Sequence, residues 1–286
     1  MNAIMSRILP FKRTSFLRGL TTSSPPPPRT ELPGTTPSHL SYIFIHTPQP
    51  PSQYPSKYST PVQRALQVRA TKWGGSVGFS WSPDQPAIPA LPSESSIDST
   101  TASPSSEQEY YLTAFSSRGR LVIPSVSTSN VEEVESRLRE HAQPLPSAAH
   151  GHGVQPETSE SQDVYIYVCT HGARDCRCGD TGGAVASALR EQVSRIDGGR
   201  HIKVAEVGHV GGHKYAANVL IYPHGEWLGL VQPEDVPSIV DTVLAVPLRP
   251  LTADDAPLFP SHWRGRMGLS KGEQVDLFAS YHSSTP

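Results

Sequence analysis

Apolar residues in this chain come in short runs, separated by long stretches of Pro, Ser and Thr. The second half is the easier to read. Residues 164–168 (VYIYV) are a continuous apolar run of the kind a buried strand carries. Over residues 181–195, Val185, Leu189 and Val193 recur at the spacing of one helix face. Residues 202–207 predict a strand, and 218–222 with 227–231 predict a hairpin across Pro223-His224-Gly225-Glu226. Pro233 suits the first turn of a helix that carries Val236, Ile239, Val240 and Val243. The predicted order is β-α-β-β-β-α.

The first half gives a similar string. Residues 42–46 and 76–81 predict strands, with a helix over 61–69 between them. Residues 110–115 and 120–123 predict a hairpin, and 129–141 a helix opened by the capping box Ser129-x-x-Glu132. The order is again β-α-β-β-β-α. We therefore expect two related α/β lobes, the first degenerate and the second retaining ligands. Residues 21–39, 83–108 and 143–162 are rich in Pro, Ser and Thr and offer little apolar surface against the entropy of ordering. They divide the chain into a leader and linker (1–39), a first lobe (40–142) with a disordered insert (83–108), a linker (143–162), a second lobe (163–250) and a tail (251–286). In the tail, Ser270-x-x-Glu273 predicts a short helix, and Trp263 and Met267 are expected to dock on a lobe.

Composition narrows the function classes. The chain has 286 residues, with 24 basic and 26 acidic side chains. No basic stripe points to a nucleic-acid partner. No apolar run approaches the roughly 18–20 residues of a membrane-spanning helix. The first thirty residues carry Arg7, Lys12, Arg13, Arg18 and Arg29, and no acid precedes Glu31. Ile4, Ile8, Leu9, Phe11, Phe16 and Leu17 alternate with these charges, the pattern of a mitochondrial presequence.

The candidate chemistry lies in two glycine-rich clusters, Cys169-Thr-His-Gly-Ala-Arg-Asp-Cys-Arg-Cys178-Gly and Gly208-His209-Val-Gly-Gly-His213-Lys. All three cysteines of the chain fall between Cys169 and Cys178, which reads as metal or redox chemistry rather than a disulfide framework. The first cluster begins where a strand ends, and the second follows the next strand. A right-handed crossover makes those strands parallel and brings both loops to one sheet edge. Gly172, Gly179, Gly208, Gly211 and Gly212 would let backbone amides approach the ligands. Two Cys and two His fit zinc, and they fit a [2Fe–2S] cluster with Rieske-type ligation. The residues leave both open.

The motifs Cys169-x-His-x-x-Arg-Asp-x-x-Cys178-Gly, His209-x-Gly-Gly-His213-Lys-x-Ala-x-Asn and Pro223-x-Gly-x-Trp-x-Gly resemble the sucrase/ferredoxin-like family, most of all its fungal mitochondrial members. The tail segment His262-Trp-Arg-Gly-Arg-Met-Gly-Leu-Ser resembles it too. That family is related to thioredoxin-like [2Fe–2S] ferredoxins. The resemblance implies a thioredoxin-like ferredoxin domain with a [2Fe–2S] cluster on Cys169, Cys178, His209 and His213, zinc being the alternative. Cys176 departs from the motif and is expected to be a spectator thiol. His171, Arg174, Asp175 and Lys214 match the motif as supporting residues, and Arg174 with Asp175 is a candidate pair bracing the loop. His46, His141, His150, His152, His201, His224, His262 and His282 are expected to be exposed or capping residues.

Three functions follow. The first is a mitochondrial electron carrier, working with a protein redox partner rather than as a stand-alone catalyst. The second is a thioredoxin-like thiol-redox enzyme, although no Cys-x-x-Cys is present. The third is a zinc-stabilised interaction module. Sucrose cleavage would require two catalytic acids at a defined separation, and no convincing pair is found.

Overall fold

In the computed structural model, residues 27–84, 108–144, 163–196 and 201–284 are described. Most of the expected leader, the insert and the second linker lie outside them. The first half contains β1 (Ser41–His46), α1 (Pro61–Ala70), β2 (Gly75–Trp81), β3 (Tyr110–Ser116), β4 (Gly119–Val126) and α2 (Val131–Ala142). The second contains β5 (Val164–Cys169), α3 (Gly183–Arg195), β6 (Ile202–Val207), β7 (Val219–Tyr222), β8 (Glu226–Leu228) and α4 (Val236–Ala245). An edge strand β9 (Trp263–Arg266) and α5 (Lys271–Ser284) follow. The second half is thus the expected mixed α/β unit of thioredoxin-like order.

The strands form one sheet in the order β4-β3-β1-β2-β6-β5-β7-β8-β9. The two halves share one topology within it. β1 is parallel to β2 and antiparallel to β3, and β5 stands in the same relation to β6 and β7. The register repeats as well. His46 lies opposite Ser80, and Cys169 lies opposite Val207. Just past these residues, the Thr47 amide donates to the Ser80 carbonyl at 2.9 Å, and the Thr170 amide donates to the Val207 carbonyl at 3.3 Å. His46 therefore occupies in the first half the strand position that Cys169 occupies in the second.

The halves are sewn together by β2 and β6, which pair antiparallel only at Ser80/Val207 and Trp81/Glu206. At this short seam the sheet folds over. β1 and β5 are three positions apart in the strand order, which in a flat sheet is about 14 Å. Yet the Phe44 and Tyr167 rings stack with centroids 3.9 Å apart, and Phe115 stacks on Tyr222 at 4.5 Å. The inner faces therefore close on an aromatic layer that includes Tyr42 and Trp227. Strand alternation sends the intervening residues outward. Ile43 and Ile45 pack under α1 and α2, and Ile166 and Val168 pack under α3 and α4.

Four expectations are corrected. The predicted second hairpin strand stops at Leu228, because the Gly229 amide turns to the His262 carbonyl at 2.8 Å and Leu230 adopts a φ of 55°. α2 starts at Val131 with Asn130 rather than Ser129 at its N-cap, and Glu132 pairs with Arg69 at 2.9 Å. The tail contributes β9 to the sheet as well as α5, whose Ser270–Glu273 box is present. His46, His141, His224 and His262 are buried rather than exposed. His150 and His152 lie outside the described residues. Trp263 and Met267 are buried as expected, Trp263 in the second-half core and Met267 against the aromatic layer.

Candidate metal centre

β5 and β6 run parallel as neighbours, so the Cys and His loops leave the same end of the sheet. Cys169 is the last residue of β5, and Cys178 opens a π-type turn that leads into α3. The loop between them crosses itself where Gly172 meets Gly179. A Cβ on Gly179 would lie 2.8 Å from the Gly172 Cα, so only glycine lets the chain return Cys178 to Cys169. Gly182 makes an equally close approach, since a Cβ there would fall 2.1 Å from the Cys169 carbonyl oxygen. The role of these glycines is contact distance. Positive φ belongs to the His loop, at Gly211 (88°) and Gly212 (71°).

The structure brings together Cys169, Cys178 and His209. One ligand atom from each lies within 4.8 Å of the others. Both cysteines are buried, and the Nδ1 of His209 is buried with no hydrogen-bond partner among the described residues. The Cys169 thiol is held well below its ordinary range by the Cys178 S–H, with His209 and the His171 and Val210 amides adding to the effect against burial. Cys178 is pushed up by the same contact with Cys169 and by its own burial. The two thiols thus share a hydrogen bond in a buried site. A cation at this point would displace the thiol protons and meet two thiolates.

His213 stands outside this group. Its ring centroid is 5.7 Å from that of His209, its side chain is half exposed, and its Nε2 is 3.9 Å from the Asp175 carboxylate. Cys176 is exposed on the loop surface. The supporting residues divide. The His171 ring is within 2.9 Å of the Pro55 carbonyl and meets Tyr54 edge-on, tying the Cys loop to the first half. Asp175 does not pair with Arg174. Its carboxylate accepts two bonds from the Arg177 guanidinium at 3.0 Å, which also lowers the Asp175 pKa. Arg174 is exposed, and Lys214 lies over the Tyr215 ring at 4.7 Å. Arg177 was within sight of the sequence, two residues from Asp175, but nothing in the pattern favoured it over the adjacent Arg174.

One residue of the site went unread. Arg264 of β9 reaches back to the His loop, donating to the Gly211 carbonyl at 3.3 Å and to Asn218 Oδ1 at 2.6 Å. It also donates to the Thr35 carbonyl and hydroxyl at 2.8 and 3.1 Å, and stacks over Tyr215. Burial pulls its pKa down to about 10, so it remains a cation at neutral pH. A Cβ on Gly212 would lie 2.5 Å from its guanidinium. The signal that could have found Arg264 is its place in the tail motif.

The chain has counterparts among known proteins. A family model described as sucrase/ferredoxin-like matches residues 32–265. The chain belongs to the sucrase/ferredoxin-like family. Similar proteins include Altered inheritance of mitochondria protein 32 of Meyerozyma guilliermondii, 38% identical over 94 residues, which are 32% of this chain and 33% of that protein. Actin patches distal protein 1 of Saccharomyces cerevisiae is 41% identical over 99 residues, 30% of this chain and 31% of that one. This chain therefore matches about a third of the length of these relatives. Among solved structures, a thioredoxin-like [2Fe–2S] ferredoxin from Aquifex aeolicus aligns over 29% of this chain and 81% of its own, at 22% identity and a TM-score of 0.25. Among the described residues, no helix is long and apolar enough to cross a membrane.

Proposed function

We propose that this protein binds a [2Fe–2S] cluster through Cys169, Cys178, His209 and His213 and serves as a mitochondrial electron carrier. The observation that carries the reading is the convergence of two buried sulfurs with a ring nitrogen of His209, all within 4.8 Å of one another. A bound cluster would supply a one-electron couple, and imidazole ligands raise its potential relative to an all-thiolate site. The chain's own contribution is to keep the sulfurs dry, to aim the His171 and Val210 amides at Cys169, and to fix the His loop through Arg264. His213, half exposed at the surface, is the ligand through which an iron would meet solvent or a partner protein. The basic, acid-poor segment 1–39 and the name of the Meyerozyma relative support the mitochondrial assignment. A reporter fused after residue 35 is expected to enter mitochondria, and cytosolic retention would remove that part.

The deciding experiment is visible absorption and EPR on anaerobically purified protein, with iron and acid-labile sulfide assayed in parallel. Two irons and two sulfides per chain, with a low average g value, are expected for mixed Cys/His ligation. The compact group of Cys169, Cys178 and His209 is also the observation that favours a second reading, a zinc site. A colourless, zinc-loaded protein would establish that one instead.

A further inference from the structure

The register repeat directs attention to the first half. The Cys/His group sits at the ends of β5 and β6, and the corresponding place is at the ends of β1 and β2. A cavity of about 140 Å³ lies there, lined by His46, Ser82, Asp84, Arg120 and Lys203 with Tyr111 and its neighbours as walls. Its position is not accidental to the fold, because strand ends of α/β sheets are where ligands dock. Here β6 and the inner face of β5 supply the opposite wall through Lys203 and Tyr167.

Two of its nitrogen-bearing side chains, His46 and Arg120, hold buried nitrogens with no hydrogen-bond partner among the described residues. His46 is 5% exposed, and neither ring nitrogen has a hydrogen-bond partner among the described residues. The buried Nε of Arg120 has none either, and its guanidinium only rests over the Tyr165 ring at 4.8 Å. No ion pair holds Arg120 or Lys203 among the described residues. Among the described residues, the one facing carboxylate is Asp84, at the exposed rim. Leaving a buried guanidinium nitrogen and an imidazole unpaired is costly, so such a cluster marks a place that a ligand completes. We propose that this cavity binds a small organic oxyanion, a carboxylate or a phosphate, between Arg120, Lys203 and His46. Burial and the Arg120 charge pull the His46 pKa down to about 3, so at neutral pH it offers one N–H to the anion. The volume is close to that of the roughly 150 Å³ cavity that holds a benzene ring, and the tyrosine faces suit a planar body.

The site is independent of the metal. Tyr167 lies two residues before Cys169 on the same face of β5, which places the cavity wall about 7 Å along the strand from that cysteine. The full-length protein is titrated at low ionic strength with inorganic phosphate, benzoate and neutral benzamide, with heat as the readout. Phosphate or benzoate is expected to bind with a Kd of about 1 mM or tighter, the better of the two naming the anion class. Benzamide is expected to bind at least about tenfold more weakly, and R120Q and K203Q each to weaken the anion about tenfold. Both side chains are only partly buried, so both variants should fold. Equal binding of benzamide, unchanged affinity in both variants, or no heat from any probe up to about 10 mM would overturn the proposal.

Discussion

Arg264 and Arg266 lie two positions apart on β9 and are both buried, but they hold different things. Arg264 holds the His loop. Arg266 forms an ion pair with Glu226 at 2.6 Å, with both side chains sealed from solvent. It also donates to the Asp255 and Ala256 carbonyls at 2.7 and 3.0 Å, and to that of Thr252. Replacing Glu226 by Gln strands a buried cation and is expected to cost about 3–5 kcal/mol, read as a lower urea midpoint. Replacing both partners by Leu is often neutral for a buried pair, but here it orphans three carbonyls, so the double variant is expected to remain destabilised. Arg264→Met should cost about 2–4 kcal/mol, and should lower metal retention because it releases Gly211 and Asn218. The candidate ligand types were legible at this scale, since thiol and imidazole spacing is local. Arg264 was not, because its meaning depends on a carbonyl and an amide far away in sequence.

At the scale of elements, loop geometry depends on three close approaches. Gly182→Ala would drive a methyl group into the Cys169 carbonyl and push the start of α3 off β5. It is expected to lose metal, measured by iron or zinc content, while the first half keeps its secondary structure. Gly212→Ala combines a φ of 71° with a clash against Arg264 and should show a similar loss. Gly183→Ala, where a Cβ would meet nothing within 4 Å, is the matched control and should bind normally. Strands and helices were legible from periodicity because each buries a face of its own. β9 escaped because Trp263-Arg-Gly-Arg266 has no alternation to read. It becomes a strand only by pairing with β8.

For the whole molecule, the folded sheet makes one body of two topologically alike halves. Phe44→Ala removes a ring that stacks across the fold on Tyr167, and should cost about 3–5 kcal/mol. The same interior sets the acid limit of the fold. Burial holds His39, His141 and His224 at a pKa of about 4 and His46 at about 3, against 6.5 for an unburied imidazole. Between pH 6.5 and these values the unfolded chain binds more protons than the folded one, so stability is complete above 6.5 and falls as pH drops through the window. Each histidine adds up to about 1.4 kcal/mol per pH unit there. Urea midpoints measured from pH 7 to 4 should decline steadily. A flat profile would show that these rings take up protons without unfolding the chain.

The sequence alone determined the β-α-β-β-β-α order of each half, the candidate ligand types and the parallel placement of the two loops. Those depend on local periodicity, residue chemistry and the handedness of a crossover, all written within a few tens of residues. Tertiary structure alone decided which groups meet. It placed Cys169, Cys178 and His209 within reach of one another while His213 stays at the surface, turned Asp175 toward Arg177, brought Arg264 to the His loop, and buried His46 in a cavity facing Lys203. The physical reason is the seam. Two residue pairs between β2 and β6 let the sheet fold onto its aromatic face, and no periodicity along the chain records that bend.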